Sequence, residues 1–162
     1  MRFEDLVQRH AADLYRYAYW LSRDRHRAED VVQEALLRGW RAFPRLREAG
    51  AAKAWLFSIV RNEYLRSVAK DMPVPENLDD FDLPDERAGD DGLEMREALL
   101  ALPVAYAEPL ALQVLGGFTC AEIASMLSTT EGAAMTRLTR ARQALRRLVA
   151  PASVKGRKGG RP

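Results

Sequence analysis

The segment from Asp71 to Asp91 limits what this chain can fold into more than any other feature of its sequence. Helical periodicity runs up to it and resumes after it, but inside it Pro73, Pro75 and Pro84 stand among Glu76, Asp79, Asp80, Asp82, Asp85, Glu86, Asp90 and Asp91. Proline removes backbone donors, like charges repel, and too little apolar surface is present to offset chain ordering. The reading is an acidic linker over 71–92 that divides 162 residues into two small units, each near the lower end of domain size. A hydrophobic content of 48% with 30% charged residues suits packed cores under a charged surface. The net charge of +2 hides a segregation: lysine and arginine gather between Arg38 and Lys70 and again between Arg137 and Arg161, on either side of the acidic stretch. Separate basic surfaces imply separate polyanionic contacts.

The front unit, 1–70, reads as helix throughout. Phe3, Leu6, Val7, His10, Leu14, Tyr17, Ala18 and Leu21 recur at three- and four-residue steps and predict one buried helix face. Ala28, Val31, Val32, Ala35, Leu36, Gly39, Trp40 and Phe43 form a second stripe that Pro44 interrupts, so two antiparallel helices should join near Ser22 to Arg25. Arg45, Arg47, Gly50 and Lys53 mark a basic loop. Trp55, Leu56, Ile59, Val60, Tyr64 and Val68 then predict a third helix from about Ala54 to Lys70.

In the rear unit, 93–150, Leu93, Ala98, Leu99 and Leu102 suggest a short helix that Pro103 ends. Tyr106, Leu110, Val114 and Leu115 suggest another, closed by Gly116 and Gly117. Pro109 lies inside it, where a kink or a late helix start is expected. Thr119 with Glu122 three residues on is a capping box, and Ser128 with Glu131 repeats the spacing before a longer helix to about Val149. Helix, tight turn and longer helix make a helix-turn-helix pattern. The tail 151–162, with Lys155, Arg157, Lys158 and Arg161 among glycines, lacks an apolar stripe and is expected to be disordered.

The last helix carries the most chemistry. Ala134, Leu138, Ala141, Leu145 and Leu148 share its inner face. Thr136, Arg140 and Arg147 project oppositely, with Ala133 beside them, Arg137 on one flank and Arg142 and Arg146 on the other. Small residues let a helix approach base edges, and arginine bonds a guanine edge or a phosphate. Taken alone, the same arginines describe any solvated helix face; the capping boxes and the turn tip the reading toward DNA.

The run FTCAEIASMLSTTEGAAMTRLTRARQALRR, extending back to LLALPVAYAEPLAL, resembles the sigma-4 domain of extracytoplasmic-function sigma factors of the sigma-70 family. In the front unit AEDVVQEALLRGWRAF resembles the sigma-2 segment that grips RNA polymerase, and AWLFSIVRNEYLR the segment that reads and melts the promoter. The resemblance implies an all-α protein of two helical domains. It implies a non-catalytic factor that binds core RNA polymerase and promoter DNA, takes no cofactor or metal, is held by an anti-sigma factor, and serves a stress or envelope-response regulon. By the same resemblance Asp30, Gln33 and Glu34 dock on polymerase; Lys53, Trp55, Arg61, Asn62 and Arg66 serve the minus-ten element; and Ala133, Thr136, Arg137 and Arg140 serve the minus-thirty-five element. The linker follows a polymerase path that otherwise holds nucleic acid, or is only a solubilising spacer. Aromatic and cationic side chains together suit captured single-stranded bases, although Trp55 reads equally well as a core residue. Glu63 departs from the family, where that position is commonly apolar.

Other classes fit less of the chain. No apolar run approaches the roughly 20 residues of a membrane span, and an opening with Arg2, Glu4 and Asp5 is not a secretion signal, so a cytoplasmic protein without membrane insertion is expected. The lone Cys120, distant in sequence from His10 and His26, offers no ligand set for a metal. A nuclease would need carboxylates on opposed ordered elements, whereas these crowd the linker. A stand-alone helix-turn-helix regulator explains the rear unit but leaves the front one without a purpose. A sigma mimic that sequesters an anti-sigma factor would have no need of Arg137 and Arg140.

Overall fold

A computed structural model describes residues 2–69, 97–98, 101–102 and 104–149. The expected linker at 71–92, the tail at 151–162, and Leu93 and Leu99 of the expected short helix lie outside the described residues. Among those described, the fold is all-α. Helix α1 spans Phe3–Ser22, α2 Arg25–Ala42, α3 Ala52–Val68, α4 Val104–Gly116, α5 Cys120–Met126 and α6 Glu131–Val149.

Helices α1 to α3 form a bundle because each brings one apolar face. Phe3, Leu6, Leu14, Tyr17, Ala18 and Leu21 of α1 are buried as the stripe requires, against Ala28, Val31 and Ala35 of α2 and Leu56, Phe57 and Val60 of α3. Gly39 lets the helices close up: a Cβ there would lie 3.3 Å from both Leu56 and Phe3. The α1–α2 turn is made by Arg23 in the left-handed region (φ 57) and by Asp24, whose side chain accepts from the backbone N–H of His26 at 2.9 Å and caps α2. The basic loop is two short 3-10 turns, Phe43–Arg45 and Ala49–Ala51, before α3 begins two residues earlier than expected.

Trp40 does not belong to the buried stripe of α2; it is 61% exposed. At about 100° per residue it falls within about 20° of Gln33 and far from Ala35, so it lies on the polar side. The sequence stripe was one residue too wide.

In the rear unit α4 contains Pro109 and still starts at Val104, five residues upstream, so the late start is not observed. The ring costs one ladder bond close to the helix N-terminus, and its complete burial offsets that loss. Gly117 (φ 71) ends the helix, its N–H donating to the Gln113 carbonyl. The Thr119–Glu122 capping box forms in both directions, at 3.2 and 2.9 Å. The second box does not. Ser128 takes a left-handed turn conformation (φ 54), and the Thr130 hydroxyl caps α6 instead by accepting from Ala133 N–H at 3.0 Å. Ala134, Leu138, Ala141, Leu145 and Leu148 are all buried, as the spacing required, and Ala144 is buried with them.

The two units also meet. Helix α4 packs on α1, and the residues around Phe118 touch α3. Phe57 lies between Tyr17, at 5.5 Å, and Phe118, which meets it edge-on at 5.1 Å.

Candidate nucleic-acid interface

On α6 the outer face is open. Thr136 and Arg140 are exposed, Ala133 and Arg137 half-buried beside them, and no other described residue bonds either Arg137 or Arg140. Gly132, Met135, Thr136, Thr139, Arg140 and Gln143 line a shallow depression of about 420 Å³ along this face. The Thr136 and Thr139 hydroxyls donate back to the carbonyls of Gly132 and Met135, both at 3.0 Å. Of the flanking arginines, Arg142 bonds the Gln113 side chain and therefore braces α6 on α4.

On α2, Asp30 and Gln33 are exposed and Glu34 half-buried. Arg38 bridges Glu34, at 3.5 Å, to the buried Glu63 of α3. Leu37, half exposed, and Trp40 lie on the same side of the helix as Gln33. The sequence reading missed both. Large apolar side chains exposed beside carboxylates make this face a candidate interaction surface, and the angular position of Trp40 is enough to find it.

The third group is brought together only in part. Trp55 is half-buried and tilts against Phe43 with ring centroids 6.3 Å apart, so it is largely a packing residue. Asn62 is exposed. Arg66 bonds Glu63 at 2.5 Å. Lys53 and Arg61 are engaged by the rear unit: the Lys53 ammonium donates to the Gly116 carbonyl and lies 5.2 Å from the centre of the Phe118 ring. Arg61 Nε is 2.5 Å from the Glu108 carboxylate, with a second nitrogen at 3.5 Å. Glu108 is only 6% exposed and also accepts from the Tyr17 hydroxyl at 3.0 Å. Burial, then the Glu108 charge, hold that phenol well above its ordinary pKa against the pull of Arg61, so it stays a donor.

These surfaces can be matched to known proteins. The Sigma-70 region 2 family profile matches residues 6–72 and the Sigma-70, region 4 profile residues 92–145. The chain is 35% identical over 150 residues to the ECF RNA polymerase sigma factor SigL of Mycobacterium tuberculosis, covering 87% of this chain and 85% of that protein. The chain belongs to the ECF RNA polymerase sigma factors. SigM of the same organism is 32% identical over 150 residues, covering 91% of this chain and 76% of its own length. Among solved structures, the sigma factor RpoE in complex with the anti-sigma factor NepR from Bartonella quintana superposes with a TM-score of 0.64 at 26% identity, covering 90% of this chain and 96% of that one. Membership makes this sigma factor a director of transcription initiation in a family without enzymatic activity. The region 2 match takes in all of α2 and α3 and α1 from Leu6 onward, and the region 4 match takes in α4, α5 and α6 up to Leu145. Among the described residues, no helix is long and apolar enough to cross a membrane.

Proposed function

We propose that this sigma factor divides its work among three surfaces on two domains, 1–70 and 93–150, joined by the linker 71–92 and followed by the tail 151–162. Asp30, Gln33 and Glu34, centred on the apolar pair Leu37 and Trp40, dock on core RNA polymerase. Lys53, Arg61, Asn62 and Arg66, with Trp55 as support, hold the separated minus-ten strand, where each base captured on protein offsets lost stacking and shifts the closed-to-open balance. Ala133, Thr136, Arg137 and Arg140 enter the minus-thirty-five major groove. The open outer face of α6, with Arg140 projecting from a rod whose opposite face is wholly buried, is the single observation that carries this reading. The protein works in the cytoplasm on a stress or envelope-response regulon, and an anti-sigma factor holds it inactive, as NepR accompanies RpoE in the neighbouring structure.

The test is transcription in vitro from purified chain and core polymerase. Initiation should require both. Arg140→Ala should weaken promoters that depend on the upstream element, and Gln33→Ala should weaken core binding; no effect from either would overturn the residue assignments. Tight promoter binding without core would point instead to a stand-alone regulator.

A further inference from the structure

The contacts between the two halves fall on the residues just assigned to strand capture. Lys53 and Arg61, two of the four cations and amides in that group, both end on atoms of the rear unit. The opposing group at Arg61 is a carboxylate with Arg61 Nε and Nη2 facing its two oxygens, the arrangement a guanidinium also makes with a phosphate. Glu108 is held there by a third donor, the Tyr17 hydroxyl of α1. Around this polar centre the seam is apolar: Phe57 and Phe118 are buried edge to face, and Ala107, Leu110 and Ala111 beside Glu108 on α4 are buried too. The other two surfaces are uncovered, since Asp30, Gln33 and Trp40 on α2 and Thr136 and Arg140 on α6 remain exposed in this same arrangement.

We propose that the chain carries its own inhibitory contact: Glu108, seated between Tyr17 and Arg61, stands in for a DNA phosphate and latches the rear unit over the strand-capture cations, while the polymerase-docking helix stays open. The inference rests on the functional reading above and adds an order to it. Core enzyme finds an accessible α2 on the closed chain, and strand capture follows only when the seam parts. A single-stranded DNA meeting the free chain competes with a carboxylate of the same molecule, whose effective concentration lies in the millimolar range for a short tether. Its apparent affinity is lowered by the fraction of chains that are open.

The experiment uses the full chain and a short fluorescein-labelled single-stranded DNA of mixed sequence, read by anisotropy without core polymerase. Glu108→Gln keeps the shape of the side chain and removes its charge, and should tighten binding about tenfold if roughly a tenth of wild-type chains are open. Small-angle scattering should show a larger radius of gyration for the same variant. Glu29→Gln, an exposed change of equal charge on α2, should give a much smaller gain. Adding Arg61→Gln to Glu108→Gln should cancel most of the gain. Tyr17→Phe, which loses only the hydroxyl, should give a smaller gain in the same direction and serves if Glu108→Gln does not fold. Wild-type affinity in both Glu108→Gln and Tyr17→Phe, or a gain no larger than that of Glu29→Gln, would overturn the latch while core-dependent transcription still stood. Failure of the wild-type chain to bind core would instead overturn the functional reading, and the latch with it.

Discussion

Glu63 is the residue through which the register of α3 is most sharply tested. The residue is 7% exposed, and its carboxylate accepts from Arg66 of its own helix and Arg38 of α2, both about half exposed. With one arginine replaced by alanine, the other still neutralises the acid. Each remaining pair is partly wet, so each single replacement should cost about 1 kcal/mol. With both replaced, an anion is left buried without a cation, a situation that costs about 3–5 kcal/mol in protein interiors. The lower end applies here because removing two long side chains admits water. The double variant should thus exceed the sum of the singles by about 1 kcal/mol. Adding Glu63→Leu to it should recover most of the loss, since the buried charge is then gone. Denaturant titration at constant slope measures all four variants, and each 1 kcal/mol should move the thermal midpoint by about 2–4 °C for a chain of this size. Additive arginine effects, or a triple variant no more stable than the double, would show that Glu63 is not the buried hub of this helix pair.

Trp40→Ala should leave stability within about 0.5 kcal/mol, as for exposed surface changes, yet weaken core-polymerase binding by about 2 kcal/mol, the scale of an interface aromatic anchor; a binding titration against core enzyme decides. Gly116→Ala should cost about 1–3 kcal/mol, because a Cβ there overlaps the Phe118 ring, and thermal unfolding would register it. Thr119→Ala removes the cap of α5 and should cost about 1 kcal/mol by denaturant titration. His10 is held below its ordinary 6.5 chiefly by burial, then by Lys53 and Arg9, with Asp13 opposing. The unfolded chain therefore binds the extra proton first, so the stability this group contributes is complete above 6.5 and is lost as pH falls from there toward the lower folded value. His10→Gln should flatten the difference in thermal midpoint between about pH 7.5 and about pH 5.5.

Much of the fold was legible because helices write their inner faces at short range. The stripes of α1 and α6 and the Thr119–Glu122 box need only neighbours three or four residues apart, and all are found as read. Trp40 escapes the stripe because successive steps of three and four residues drift round a helix, and its angle puts it on the exposed side. Ser128 looked like a cap because spacing alone does not reveal that the turn before α6 needs a left-handed residue first. The latch was not legible at all: Glu108 meets Tyr17 across 91 residues and Arg61 across 47, and no local pattern encodes a partner so far along the chain. The exposed residues of α2 and α6 emerged as the sequence implied because a surface helix face needs no tertiary partner to define it.

The same difference explains why the buried side of α3 was legible only in part, with Leu56 and Val60 buried as expected but Phe57 and Glu63 outside the predicted stripe. A helix with one buried side shows a clean stripe, but α3 is engaged on several. Leu56 and Val60 face the bundle, Glu63 draws arginines from two helices, and Phe57 is shared between Tyr17 of the front core and Phe118 of the rear unit. Apolar and charged positions therefore interleave, and its periodicity blurs. A helix that packs inward and also gives cations and an aromatic ring to a second unit cannot be simply amphipathic. Its core packing and its polar contacts to the rear unit run through nearby residues, so under the proposed latch separating the units would also free Arg61 and Lys53. Helix α6 has no such coupling: its buried and open faces share no residue, and Thr136 and Arg140 are exposed while the two units are in contact.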